Sequence, residues 1–137
     1  MTMEVTVEHL GELQFEAKAR GHIVVSDQPV VNGGYDEGMT PPELLLASVG
    51  SCAAFYAVQY LKARNLARGG VEVVVQAEKM TAPARLGAFT IEVHCPVPLT
   101  EDQQQGMVRS VHSCLVHNTL MSVPEIAIEL KVPVLTM

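Results

Sequence analysis

Tryptophan is absent from the sequence, and aromatic residues make up only 4% of its 137 positions. So few rings leave little from which to build a stacking platform for bases or sugars. Positive charge is scarce as well, with 9 lysines and arginines against 15 acidic residues and a formal net charge of −6. A surface of that sign argues against nucleic acid and anionic membranes as partners. Cysteine occurs 3 times, at Cys52, Cys95 and Cys114. An odd number so widely spaced does not make a secreted disulfide framework. The opening MTMEVTVEHL alternates polar and apolar residues instead of setting a basic patch before an apolar run, so no signal peptide is expected. Repeats, low-complexity segments and linkers are missing too. The expectation is a cytoplasmic protein with one domain over residues 1–137. There a cysteine pair would be redox-active or inert, not structural.

Charge is missing altogether from Leu44 to Tyr60, and this stretch organises the chain. Thr40, Pro41, Pro42 and Glu43 precede it as a helix start. The threonine can cap free amides, proline suits the first turn, and Glu43 can complete a capping box. Lys62 and Arg64 fall in the last turn, where cations complement the helix dipole. A helix over Thr40–Asn65 would run about 35 Å, apolar around nearly its whole circumference, and would need cover on all sides. A membrane span is the other reading of such a run. It is at the short limit for that, is diluted by Ser, Gly and Gln59, and sits among segments that read as soluble sheet. Cys52 lies in its middle among Ser48, Gly50, Ser51, Ala53 and Ala54. Two roles are open to it: a reactive thiol in a dry pocket, or an inert core cysteine.

On either side the periodicity changes. Glu4–His9 and Leu13–Ala19 alternate with period two, which predicts two half-buried strands joined near Gly11, with Val5 and Val7 inward. His22–Val25 predicts a third strand, stopped by Ser26, Asp27 and Pro29. Residues 30–39 read as a loop broken by Gly33, Gly34 and Gly38. That loop carries no GxxxxGK[ST] or GxGxxG pattern and holds Asp36 and Glu37, which excludes a phosphate cradle. Beyond the helix, Val71–Met80 and Phe89–Cys95 predict a long hairpin. Thr100 and Gln103 offer a second capping box, ahead of a helix with Met107, Val111, Cys114 and Leu115 on one stripe. Ser113 restarts a short helix through Leu120, and Ile126, Ile128, Leu130 and Val132 predict a terminal strand. The order βββ-α-ββ-α-β reads as α+β, with antiparallel sheets wrapped on the long helix. So thin a sheet cannot cover so apolar a helix. A homodimer sharing its core across the two central helices is therefore expected.

Cys52 and Cys114 are the residues of chemical interest. Peroxide reduction by thiols needs one thiolate in an apolar pocket, a cation or donors to lower its pKa, and a second thiol to trap the sulfenic acid. At this level GHIVVSDQPVVNGGYDEGMTPPELLLASVGSC, followed later by SCLVHNTL, resembles the OsmC/Ohr family of thiol-dependent hydroperoxide reductases, in particular the branch whose helix begins TPxELLLA. The similarity extends over nearly the whole chain. It implies an α+β fold, an intertwined homodimer and an active site at the subunit interface. It further implies that Cys52 attacks an organic hydroperoxide, that Cys114 closes a disulfide, and that a dithiol such as lipoamide reopens it. No cofactor and no metal are implied.

Two further family residues transfer less directly. A glutamate is expected ten positions before the reactive cysteine, where this chain has Pro42. Glu43 is nine before, about 900° of helix rotation and so on the opposite face. It either caps the helix or reaches a site through a distorted first turn or the partner's pocket. The family arginine comes from the N-terminal strands beside a glycine, which points to Arg20 with Gly21, although a plain surface charge also fits. Leu115 stands where a proline commonly follows the resolving cysteine. Cys95 reads as core. His94, Cys95, His112, Cys114 and His117 lack any structural zinc spacing. The expected activity is reduction of organic hydroperoxides. The rival is a non-catalytic protein of the same fold holding a small apolar ligand at the dimer interface, a reading that Pro42 favours.

Overall fold

Three strands open the chain, β1 (Thr6–Gly11), β2 (Gln14–Ala19) and β3 (His22–Ser26), paired antiparallel in that order. They belong to a computed structural model that describes residues 1–135. Arg20 and Gly21 make the β2–β3 turn, with φ of 52° and 83°. Both central residues of a tight hairpin of this twist take positive φ, which glycine accepts at no steric cost. Among the described residues no layer covers the sheet. Val5 and Val7, expected to point inward, are 61% and 59% exposed. The alternation marks one face correctly, but a strand face is buried only where another layer packs on it.

Asp27 ends β3 and organises the glycine-rich loop. Its side chain is fully buried. Oδ1 accepts from the amides of Gln28 (2.7 Å) and Tyr35 (3.2 Å), and Oδ2 from the Glu37 amide (3.1 Å) and the Gln14 side chain (3.0 Å). Desolvation alone would raise this carboxyl's pKa, but the hydrogen bonds together outweigh it and hold the group below its ordinary value. Gly34 is required beside it, because a Cβ there would run into the Gln28 carbonyl and the Asp27 carboxylate. Gly34 thus serves a buried carboxylate. Within the loop Val30–Asn32 forms one short 3₁₀ turn, and the Asp27 amide donates to the Met39 carbonyl (3.1 Å) just before the long helix.

That helix, α1, spans Pro41–Ala63 with Thr40 as its cap and the expected capping box complete. Val49, Ala53, Ala57, Tyr60 and Leu61 form its buried stripe, at the spacing of a single face. Its packing partners are β4 (Glu72–Met80), β5 (Arg85–His94), α2 (Glu101–His112) and α3 (Leu115–Met121). Tyr60, Leu61 and Met107 centre the core. The second capping box, Thr100 with Gln103, is also present. α1 is long and apolar enough by composition to cross a membrane, but here one of its faces is packed against the hairpin and the later helices. Its opposite stripe, including Leu45, Ser48, Ser51, Phe55 and Gln59, is exposed and carries no charge. Cover on all sides is therefore not reached within one subunit.

Two expectations in the C-terminal third need correction. Leu115 does not join the Met107 stripe and is 66% exposed, because α2 ends at His112 and the chain turns through Ser113 before α3. The terminal strand expected over Ile126–Val132 is not formed either. Residues 123–135 have no regular element, and Ile128 is 93% exposed. An alternating segment becomes a strand only by joining a ladder, and among the described residues no strand of this subunit pairs with it.

Candidate redox site

Cys52 lies midway along α1, one position before the buried Ala53 and half-buried itself. Cys114 sits in the short break between α2 and α3, where it caps α3. Its side chain is only 1% exposed. The α1–α3 contact brings the two together across 62 positions of sequence, and a disulfide joins them with α-carbons 5.8 Å apart. That separation is ordinary for a disulfide. The Cys114 sulfur also accepts a hydrogen bond from the His117 amide at 3.3 Å.

The other residues singled out in the sequence are placed differently. Glu43 turns back onto Thr40, its Oε1 accepting from the Thr40 amide (2.9 Å) and hydroxyl (2.8 Å). The Thr40 amide, then its hydroxyl, lowers the Glu43 pKa. In its own subunit this carboxylate is engaged in the cap. Arg20 is exposed at the β2–β3 turn, on the sheet that stands apart from α1, and among the described residues it forms no ion pair. Cys95 follows β5 directly, half-buried, with its sulfur 3.7 Å from that of Met107, and burial raises its thiol pKa. Of the histidines, His94 pairs with Glu92 at 3.2 Å. His112 and His117 meet edge to face with ring centroids 5.0 Å apart. Among the described residues no three His, Cys, Asp or Glu side chains gather to hold a metal.

A groove of about 400 Å³ opens between β5 and α2, walled by Phe89, Ile91, Leu99, Met107 and Val111 and reaching His117 beside Cys114. Its walls are mainly apolar, so it suits a hydrocarbon body. Sequence inspection did not find this groove or the role of Asp27. An aspartate closing a strand ahead of three glycines was a usable signal for the second; nothing local signalled the first.

A sequence profile described as OsmC-like protein matches residues 34–129. No curated protein matches the chain. Among solved structures, a Psychrobacter arcticus protein described as an osmotic stress induced and detoxification response protein is 22% identical, with a TM-score of 0.77 over 87% of this chain and 88% of that one. An OsmC-like protein from Mycoplasma pneumoniae is 20% identical, with a TM-score of 0.72 over 90% and 89%. The organic hydroperoxide resistance protein OhrB of Bacillus subtilis is 18% identical, with a TM-score of 0.62 over 90% and 93%. At such identities these likenesses concern the fold.

Proposed function

The chain belongs to the OsmC-like protein family, and from that premise we propose that it is a cysteine-based peroxidase reducing organic hydroperoxides to alcohols. The observation that carries the proposal is the Cys52–Cys114 pairing, made by tertiary packing alone. The thiolate of Cys52 attacks the terminal peroxide oxygen. The O–O bond breaks, the alkoxide leaves and takes a proton as alcohol, and Cys52 is left as sulfenic acid. The Cys114 thiol condenses with it, releasing water and closing the disulfide. A dithiol such as dihydrolipoamide returns two electrons and restores both thiols. The apolar groove that reaches His117 suits the body of such a substrate. No cofactor or metal enters the scheme, and the reducing cytoplasm supplies its dithiol.

The site is assembled by two copies of the chain. Three unpartnered features support this: the N-terminal sheet that stands off α1, the uncharged exposed stripe of α1, and the exposed alternating segment 123–135. Arg20 of one copy is the cation proposed to face Cys52 of the other, where a guanidinium favours the thiolate. Glu43 belongs to the site only through the partner's pocket, since its own subunit uses it as a cap.

Intact-mass measurement after one equivalent of cumene hydroperoxide tests the proposal, with dihydrolipoamide-dependent peroxide consumption beside it. A loss of two hydrogens mapped to Cys52–Cys114 is expected. Cys52→Ser abolishes turnover, Cys114→Ser performs one round and then over-oxidises, and Cys95→Ser changes neither. A second reading, a non-catalytic holder of a small apolar ligand, is favoured by the groove between β5 and α2 and by Pro42. Unmodified thiols with peroxide left in solution would decide for it.

A further inference from the structure

The two sulfurs of the disulfide are not equally open to attack. Cys114 is closed by its own subunit, at 1% exposure, in the break where α3 packs on α1. Cys52, on the α1 side of the same contact, remains half-buried. A second copy of the chain can add cover over Cys52, but it cannot uncover Cys114. Thiol–disulfide exchange requires the incoming thiolate to approach one sulfur from the side opposite the other, so access selects which sulfur is attacked. Cys114 offers almost no accessible surface in its own chain. Cys52 keeps part of its surface accessible.

The leaving groups differ too. Attack on Cys52 expels Cys114, whose sulfur already accepts the His117 amide hydrogen bond. A donor at that sulfur stabilises the thiolate that forms there, and a better-stabilised thiolate leaves faster. Among the described residues no hydrogen bond does the same for the Cys52 sulfur; the guanidinium proposed beside Cys52 in the dimer opposes this preference, so access carries the direction.

We infer that reduction is directional: the reductant's thiolate attacks Cys52, Cys114 departs, and the mixed disulfide forms on Cys52 alone. The inference rests on the peroxidase reading for its place in a cycle, but the step itself concerns only the disulfide. One thiolate of the dithiol forms a bond to the Cys52 sulfur while the Cys52–Cys114 bond breaks. The electron pair goes to Cys114, which takes up a proton from solvent when it is released as thiol. The second thiolate of the dithiol then attacks its own mixed-disulfide sulfur and expels Cys52 as thiolate. The dithiol leaves as a cyclic disulfide, oxidised by two electrons, and Cys52 is left in the form that attacks peroxide. His117 acts here through its amide alone, as a positioning residue for Cys114.

The test uses full-length protein oxidised with diamide, so its outcome does not depend on any peroxidase activity. A limiting amount of 2-mercaptoethanol is added, the reaction is quenched with acid, freed thiols are blocked with N-ethylmaleimide, and peptides are mapped. We expect the mercaptoethanol adduct on Cys52 and the maleimide on Cys114, by at least about tenfold over the reverse. The reverse distribution, an even one, or failure of diamide to produce the Cys52–Cys114 disulfide overturns the inference. Because a mixed disulfide can migrate, initial rates with Ellman's reagent are compared for reduced Cys114→Ser and Cys52→Ser proteins, both checked for folding by circular dichroism. The remaining Cys52 should react at least about tenfold faster than the remaining Cys114, and equal or reversed rates also overturn it. Should peroxide consumption fail while the adduct maps to Cys52, the peroxidase reading falls and the directionality stands.

Discussion

The carboxylate of Glu43 faces Thr40, with Oε1 2.9 Å from the Thr40 amide and 2.8 Å from its hydroxyl. A side chain held at both contacts cannot also serve Cys52 of the same subunit, nine residues along the helix. If capping is its whole role, Glu43→Gln preserves the box and leaves peroxide turnover unchanged. Thr40→Ala should lower stability in urea by about 1 kcal/mol. Loss of turnover in a fully stable Glu43→Gln protein would instead place the carboxylate in the partner's site.

Asp27 ties stability to pH. Its folded pKa is depressed, so its contribution is fully present above the ordinary aspartate value of about 3.9 and is lost as pH falls through the lower folded value. The urea midpoint of the native protein should therefore drop between about pH 5 and pH 2 more steeply than that of Asp27→Asn. At neutral pH the variant should be the less stable of the two, since an amide cannot accept from all four donors. Parallel pH curves would show that Asp27 contributes nothing through its charge. Gly34→Ala should destabilise the same loop without changing the pH slope.

Arg20 is open to a kinetic test on the reduced protein. If it lowers the pKa of Cys52 across the dimer, Arg20→Ala slows iodoacetamide alkylation near neutral pH, by about tenfold for each unit of pKa restored. Well above pH 9 the two proteins should react alike, because the thiol is then ionised in both. Equal slowing at both pH values would assign Arg20 a structural effect instead.

Assembly can be measured directly. Sedimentation equilibrium at micromolar concentration should show a dimer, and a folded, soluble monomer there would remove the shared core. A chain ending at Ser122, which lacks the exposed alternating segment, should lose the dimer or precipitate.

Local rules were enough for the elements other than the strand expected over Ile126–Val132. Thr40 through Glu43 and Thr100 through Gln103 spell capping boxes because the groups that bond lie within one turn of each other. The alternation of β1 to β5 likewise depends on near neighbours and backbone period, whereas α1 reads as apolar nearly all round and packing chose which stripe is buried. The two cysteine motifs carry the family in the same way. Pairing Cys52 with Cys114 required the packing of α3 on α1, which no spacing along the chain encodes. Tertiary structure alone decided that Val7 and Ile128 stay exposed in one chain and that four donors converge on Asp27. Periodicity states which face of an element is apolar, but what lies against that face is set by segments distant in sequence or by a second copy of the chain.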